Sequence, residues 1–149
     1  ISLGLVGSEM CIRDRSKRIG FDESILLDRN GNVSEASGEN IFLVRNSAMY
    51  TPQVSDSILE GITRDTTISI AKEMGYEIIE RPISRTELYL AEELFLTGTA
   101  AEIVAITRID GHDVGSGNEG LVTRSIRQKY EKLVSGKIKK YMDWLTPVW

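Results

Sequence analysis

Three short segments of the chain combine residue types that could bind an anion or hold a proton. The first, Leu59–Arg64 (Leu-Glu-Gly-Ile-Thr-Arg), places a glycine and a hydroxyl just ahead of a helical pattern. The first backbone N–H groups of a helix lack an intrahelical acceptor and lie at the positive end of the helix dipole. This segment therefore predicts an anion site, for phosphate above all. The alternative is that Thr63 only caps the helix and Gly61 only turns the chain.

The other two segments follow or join strand-like runs. Thr97–Ala101 (Thr-Gly-Thr-Ala-Ala) has two hydroxyls and a glycine, so its backbone amides can approach a ligand closely. Glu35–Asn40 sets acidic and amide side chains around a glycine. A carboxylate there, if it faces a cleft, could keep a ring nitrogen protonated, because a negative charge nearby favours the cationic form. Ordinary polar turns are the alternative for both segments.

Several other site types are not supported by the residues present. A Ser-His-Asp hydrolase needs its histidine beside a nucleophile, but the chain has one histidine, His112, expected at the surface after a turn, and no Gly-x-Ser-x-Gly motif. No Walker sequence, Gly-x-x-x-x-Gly-Lys followed by Ser or Thr, occurs. The single cysteine, Cys11, cannot form a disulfide within the chain or complete a structural zinc site. We therefore expect no metal site.

Composition narrows the class of protein further. The 149 residues suit one domain, and 41% hydrophobic with 27% charged residues is typical of a globular chain. The formal net charge of −4, without a long basic run, makes nucleic acid an unexpected partner. No run of about 18 apolar residues is present, so we expect no membrane partner and a cytoplasmic location.

The three segments must be positioned by short strands and a few helices. Asn30-Gly31 predicts a hairpin between Ile25–Leu27 and the run from Val33, and Asn46-Ser47 predicts a second hairpin. The remaining predicted elements are strands at Tyr76–Ile83, Glu93–Thr97 and Ala101–Ile109, a short helix after the Ser84 and Glu87 capping box, and helices ending at Gly75 and Gly136. This pattern indicates a mixed α/β domain with helices packed outside the strands. Residues 1–15 show no clear period.

Taken together and in this order, the segments resemble a known family. From Gly20 to Trp149 the sequence resembles the C-terminal domain of class IV, pyridoxal-phosphate-dependent aminotransferases, most closely the branched-chain amino acid aminotransferases. The matching signature residues are Glu35, Ser37, Asn40, Ile41, Phe42, Thr51, Leu59, Gly61, Ile62 and Arg64, followed by Thr97–Ala100 and Trp144–Val148. The resemblance implies the C-terminal domain of the α/β fold-type IV aminotransferases, in which hairpin strands form a pseudo-barrel with outer helices.

The resemblance also implies a pyridoxal 5′-phosphate site. Glu35 matches the glutamate that binds the pyridine nitrogen, and Leu59 matches the residue packed against the ring. Ile62 and Thr63 match the donors to the cofactor phosphate at a helix N-terminus, and Thr99 matches a further phosphate donor. These implied roles agree with the chemistry expected of each segment.

For the substrate, the resemblance implies backbone donors at Thr99 and Ala100 toward the carboxylate. The implied reaction moves an amino group between Leu, Ile or Val and 2-oxoglutarate in a homo-oligomer. The family's Schiff-base lysine lies upstream, about where this chain begins, and neither Lys17 nor Lys72 matches it. We therefore expect no catalytic residue of that kind in this chain.

The expected organisation is that of a fragment. We expect residues 1–15 to be a non-native segment, which resembles translated sequencing-adapter read-through, and residues 16–149 to be the C-terminal domain without its N-terminal domain. The chain alone is then predicted to be inactive. Two alternatives stay open: a D-amino acid aminotransferase or aminodeoxychorismate lyase of the same family, and a non-catalytic binding module on the same scaffold.

Overall fold

The computed structural model describes residues 8–146. Its α-helices are α1 (Ser8–Arg18), α2 (Ile62–Glu73) and α3 (Leu121–Val134). Its strands are β1 (Ile25–Leu27), β2 (Val33–Ala36), β3 (Asn40–Arg45), β4 (Ala48–Thr51), β5 (Glu77–Glu80), β6 (Glu93–Gly98), β7 (Glu102–Ile106), β8 (Arg108–Ile109) and β9 (His112–Asp113). Short 3₁₀ helices cover Val54–Asp56, Arg85–Leu90 and Lys139–Trp144.

A five-stranded sheet in the order β5-β4-β3-β6-β7 forms the centre of the described structure. The β4–β5 pair is parallel and the other pairs are antiparallel. In the β3–β6 register, Asn40 at the start of β3 lies opposite Thr97 near the end of β6. The segments that precede β3 and follow β6 therefore meet at one end of the sheet. Strand β4 runs antiparallel to β3 and ends there too, which delivers the chain to the start of α2.

Both predicted hairpins are present because their turn residues suit the backbone they must adopt. The two residues between β3 and β4, Asn46 and Ser47, have φ of 51° and 63°. Two successive positive φ values match the right-handed twist of a two-residue hairpin, and asparagine tolerates this conformation better than most residues. In the β1–β2 hairpin the positive φ, 83°, falls on Gly31, where it costs least.

Apolar side chains fill both faces of the sheet. On one face, Phe42 and Phe95 stack with ring centroids 5.0 Å apart and join buried residues of α2 and α3, among them Ile70 and Ile126. The other face carries a second cluster, formed with β1, β2 and the 3₁₀ helix Arg85–Leu90. Strand alternation thus buries both faces, which explains why β3 and β6 read as nearly continuous apolar runs.

The predicted helices are confirmed as α2 and α3. In α2 the side chains of Ile68, Ile70 and Ala71 are buried against the sheet, and the chain leaves the helix at Gly75 with a φ of 85°. In α3 the buried face consists of Thr123, Ile126, Tyr130 and Leu133, at helical spacing. The short helix predicted after Ser84 is the 3₁₀ helix, whose Ser84 N–H donates to Glu87 Oε1 at 2.9 Å.

Residues 1–15 show no clear period in the sequence, but a helix, α1, begins at Ser8 in the structure. The apolar residues of this segment do not recur at helical spacing, so hydrophobic periodicity does not predict the helix. It is rich in Glu, Met, Arg and Lys, which favour helix, and it contains no Gly or Pro. Arg13 pairs with Glu23 at 2.9 Å, and Ser16 hydrogen-bonds to Ser24 at 2.7 Å, so polar contacts hold α1 to the chain that follows. Residues 1–7 lie outside the described residues.

Two predicted strands are shorter than expected. The strand predicted over Tyr76–Ile83 spans only β5, since Pro82 has no N–H to continue a ladder. The strand predicted over Ala101–Ile109 is two elements, because β7 pairs with β6 whereas β8 turns back to pair with β9. The predicted turn at Asp110-Gly111 is the connection of that second ribbon, with positive φ at both residues.

Candidate functional site

A cavity of about 450 Å³ lies at the end of the sheet where β3 begins and β6 ends. Its lining comes from residues 35–40, 57–59, 61–63 and 97–99. All three segments with candidate chemistry therefore contribute to one cavity, although Glu35 and Thr99 lie 64 positions apart in the sequence. The sheet register and the start of α2 bring them together.

One carboxylate is held firmly at the wall of this cavity. Glu35 Oε2 accepts hydrogen bonds from Asn40 Nδ2 at 3.1 Å and from the backbone N–H of Leu59 at 2.9 Å. The same amide nitrogen of Asn40 also donates to the carbonyl oxygen of Leu59 at 2.9 Å. Asn40 is buried, so its side chain ties the carboxylate, the start of β3 and the loop before α2 into one rigid unit.

The N-terminus of α2 forms a second part of the wall. Gly61 is the N-cap residue and has an extended backbone, and no side chain caps the helix within the described part of the chain. The N–H groups of the first turn are therefore available to a ligand, and Ile62 and Thr63 both line the cavity. This arrangement is the one expected of an anion site.

Arg64 fixes the position of this helix end. Its side chain is buried, and Nη2 donates to the Pro52 carbonyl at 3.0 Å and to Glu80 Oε2 at 2.6 Å. The guanidinium thus joins the first turn of α2 to the chain that follows β4 and to the end of β5. Since arginine can donate several hydrogen bonds from one rigid plane, it suits this bridging role better than lysine would.

Two glycines allow close approach at the cavity. A Cβ atom at Gly61 would collide with Asn40 Oδ1. A Cβ atom at Gly98 would lie 3.0 Å from both Glu39 Cγ and the Gly38 carbonyl oxygen. Neither glycine has a positive φ, so the requirement at these positions is space rather than backbone conformation.

A second acidic residue, Glu39, also lines the cavity. Burial, together with the negative charge of Glu23, raises the pKa of the Glu39 carboxyl, while the Gly38 N–H and Arg13 act in the opposite direction. Glu23 itself accepts a hydrogen bond from Ser37 Oγ at 2.6 Å. The cavity therefore has acidic groups on the β3 side and helix N–H donors on the α2 side.

The hydroxyl of Thr97 is a feature that reasoning from the sequence missed. Thr97 lines the cavity, its side chain is fully buried, and Oγ1 has no hydrogen-bond partner among the described residues. Within the cluster Thr97–Ala101, the family resemblance assigns roles only to Thr99 and Ala100. A signal was available in the alternation of side chains along a strand, which puts Thr97 and Thr99 on the same side of an extended chain.

The predicted cofactor residues are brought together, whereas one predicted substrate residue lies outside. Glu35, Leu59, Ile62, Thr63 and Thr99 all line the cavity. Ala100 is exposed in the turn after Thr99 and is not part of this lining. The roles of these residues stay predictions.

Other groups considered in the sequence lie away from the cavity. Lys17 on α1 and Lys72 on α2 are exposed and do not line it, and His112 is exposed in β9, beside the ring of Tyr89. Among residues 12–146, no three His, Cys, Asp or Glu side chains are grouped so that they could hold a metal ion. None of the helices described is both long enough and apolar enough to cross a membrane.

Comparison with known proteins identifies the family. Residues 7–109 match the family described as amino-transferase class IV. The branched-chain-amino-acid aminotransferase of Salmonella typhimurium is 46% identical over 144 residues, which are 97% of this chain and 45% of that protein. The chain therefore belongs to the class IV aminotransferase family. Among its named members, it is similar to those called branched-chain aminotransferases.

Solved structures agree with this assignment. The branched-chain aminotransferase of Thermoproteus uzoniensis, crystallised with norvaline, superposes with a TM-score of 0.91 at 46% identity, over 95% of this chain and 46% of that one. The T.th. enzyme complexed with N-(5′-phosphopyridoxyl)-L-glutamate superposes with a TM-score of 0.90 at 41% identity, over 93% of this chain and 47% of that one. The predicted α/β fold of the fold-type IV aminotransferases is confirmed. This chain spans less than half the length of these relatives.

Proposed function

We propose that the protein to which this chain belongs is a branched-chain amino acid aminotransferase that uses pyridoxal 5′-phosphate. It would exchange an amino group between Leu, Ile or Val and 2-oxoglutarate. The observation that carries this proposal is the convergence of an anchored carboxylate, an uncapped helix N-terminus and the Thr97–Thr99 segment on one cavity. Relatives of similar sequence bear that enzyme's name.

The residues present fit a phosphopyridoxyl group. Its pyridine nitrogen needs a carboxylate to remain protonated, and Glu35 is held in place for this by Asn40 and the Leu59 N–H. Its phosphate needs several N–H or O–H donors, and the first turn of α2 offers them at Ile62 and Thr63. When bound, the cofactor supplies an electron sink for the carbanion formed at the substrate.

Apolar side chains at the cavity support binding of a flat ring. Leu59 is 71% exposed and Ile62 is 83% exposed, although both line the cavity. Large apolar side chains left this open gain from a ligand that covers them. We assign Leu59 to packing against the ring and Thr99 to a further phosphate donor. The backbone of the turn at Thr99 and Ala100 is assigned to donors for the substrate carboxylate.

This chain alone is proposed to bind without turnover. No lysine among the described residues lines the cavity, so the chain offers no amine there to move the substrate proton. The longer protein would supply that group. We further propose that the longer protein is a cytoplasmic homo-oligomer; the single cysteine supports a reducing compartment, and the resemblance to the family supports oligomerisation.

Binding can be tested on the 149-residue chain with pyridoxamine 5′-phosphate, which needs no lysine. Isothermal titration is expected to show that it binds at least about ten-fold more tightly than pyridoxamine, because helix donors recognise the phosphate. The Glu35→Gln variant is expected to bind more weakly than wild type, and Glu77→Gln, on the exposed side of β5, provides the control. Equal affinity of the two ligands for the wild-type chain would contradict a phosphate site.

Activity is tested on the full reading frame from which this chain is translated. Its product is expected to transfer the amino group of L-leucine, L-isoleucine and L-valine to 2-oxoglutarate, whereas the 149-residue chain shows no detectable transfer. Preference for D-amino acids would favour another member of the family. Turnover by the short chain would disprove the proposal that it lacks the proton-transfer group.

We also propose that residues 1–15 are non-native, a proposal supported by their resemblance to translated adapter sequence. The family match begins at residue 7, so residues 7–15 must be checked individually. Resequencing the source DNA across these codons decides the matter. An in-frame replacement that carries a lysine about twenty residues before Gly20 is the expected result, and a confirmed native reading of residues 1–15 would overturn the proposal.

A further inference from the structure

We infer that Thr97 is a ligand-binding residue, whose hydroxyl donates a hydrogen bond to a phosphate oxygen held at the N-terminus of α2. The inference rests on the proposed function, which places a phosphopyridoxyl ligand in this cavity. It adds a donor from β6 to those of the helix, and none of the roles proposed above uses this residue.

The strand geometry directs the Thr97 side chain toward α2. Side chains alternate along β6, so Thr97 shares a face with Phe95. That face packs against the buried residues of α2 and α3, because Phe95 stacks on Phe42 within their cluster. The Thr97 hydroxyl therefore lies between the sheet and the helices, on the side of the cavity where α2 begins.

The residue opposite Thr97 on the neighbouring strand shows how near the Thr97 hydroxyl is to α2. Asn40 lies directly opposite Thr97 in the antiparallel register, on the same face of the sheet. The Asn40 amide lies beside the N-cap of α2, since a Cβ atom at Gly61 would collide with Asn40 Oδ1. The hydroxyl opposite it consequently lies beside the first turn of α2.

The state of the hydroxyl indicates a missing partner. Thr97 is fully buried and lines the cavity, and Oγ1 has no hydrogen-bond partner among the described residues. A buried hydroxyl without a partner is unfavourable, whereas one that donates to a charged oxygen forms a strong hydrogen bond. A phosphate bound to the helix N–H groups would supply such an oxygen.

Thr67 provides a matched comparison. It lies one turn beyond Thr63 on α2, is fully buried, and its Oγ1 also lacks a partner in the described part of the chain. Unlike Thr97, it does not line the cavity. The two threonines therefore have the same burial and the same unpaired hydroxyl, but only Thr97 lines the cavity.

The test measures binding of pyridoxamine 5′-phosphate and pyridoxamine to four forms of the 149-residue chain by isothermal titration. Thr97→Val removes the hydroxyl with little change in shape and is expected to weaken binding of the phosphorylated ligand by about ten-fold or more. Its affinity for pyridoxamine is expected to stay that of wild type. Thr97→Ser keeps the hydroxyl and is expected to keep most of the affinity, and Thr67→Val is expected to bind both ligands like wild type.

The outcomes separate this inference from the proposed function. If wild type prefers the phosphorylated ligand but Thr97→Val binds it equally well, the Thr97 inference is overturned and the proposed function stands. If wild type does not prefer it, the proposed phosphate site fails and the inference fails with it. Equal losses in Thr97→Val and Thr67→Val would also overturn the inference, since they would indicate a structural effect. Thermal unfolding of each variant checks that the fold is retained.

Discussion

Asn40 connects the functional groups of the cavity more directly than any other side chain discussed. Its amide nitrogen reaches both the Glu35 carboxylate and the Leu59 carbonyl, and its oxygen occupies the space beside Gly61. The carboxylate and the start of α2 are therefore positioned by one buried residue. A change that moves this amide should disturb both of the proposed ligand contacts together.

Gly61→Ala tests this role. The added methyl group would collide with Asn40 Oδ1, so the amide must move and give up hydrogen bonds. We expect a loss of about 1–3 kcal/mol in the free energy of unfolding, the usual range for overpacking, and weaker binding of pyridoxamine 5′-phosphate. Urea unfolding and titration measure the two effects. Gly38→Ala is the control, because a Cβ atom at Gly38 would have no atom within 4 Å and the backbone there has no positive φ. Equal stability of the two alanine variants would argue against the steric explanation.

At the scale of elements, α2 is held at both ends by polar contacts. Arg64 secures its first turn, and Glu73 secures its last. Glu73 accepts a hydrogen bond from the Tyr141 hydroxyl and pairs with Lys129 Nζ at 3.2 Å and Lys140 Nζ at 3.4 Å. It thus joins α2 to α3 and to the 3₁₀ helix Lys139–Trp144. The Tyr141 hydrogen bond, followed by Lys129, lowers the pKa of Glu73 from 4.5 to about 2.

This lowered pKa predicts a pH-dependent contribution to stability. A carboxylate whose pKa is lower in the folded state stabilises the fold above pH 4.5 and loses this contribution as pH falls toward 2. Wild type should therefore be more stable than Glu73→Gln at about pH 7, and most of this difference should be lost as the pH falls to about 2. Thermal melts across this range measure it. Glu77→Gln, exposed on β5, is expected to match wild type throughout. A wild-type advantage over Glu73→Gln that is as large at about pH 2 as at about pH 7 would refute the assignment.

At the scale of the whole molecule, the central sheet ends in an exposed strand. Within residues 8–146, β7 pairs only with β6, and Val104 in β7 is 47% exposed. An unpaired strand edge with apolar side chains is a template for pairing with another chain. We therefore expect the 149-residue chain to self-associate through this edge.

Val104→Lys should reduce that self-association, because a charge on an edge strand opposes pairing between chains. Static light scattering over a range of concentrations measures the apparent mass, and thermal unfolding checks the fold. Val134→Lys is the matched control, since Val134 has a similar exposure of 43% but lies at the end of α3 rather than in an edge strand. If both variants lower the apparent mass equally, added charge rather than the strand edge is the cause.

Features that depend on a few neighbouring residues could be predicted from the sequence. The turns at Gly31 and Asn46-Ser47, the start of the 3₁₀ helix at Ser84, and α2 with its exit at Gly75 follow from local backbone preferences and short-range hydrogen bonds. The three segments with functional chemistry were also recognisable, because their residue types suit anion and proton binding wherever they lie.

Features that depend on register and packing between distant segments were decided only by the tertiary structure. The parallel β4–β5 pair, the splitting of the predicted last strand into β7 and β8, and the contact of Asn40 with Gly61 all join residues whose proximity no local pattern encodes. The lack of a hydrogen-bond partner for the Thr97 hydroxyl among the described residues was likewise decided by the tertiary structure. A threonine in a strand is ordinary, and only the packing of β6 against β3 and α2 leaves this one buried, unpartnered among the described residues and at the wall of the cavity.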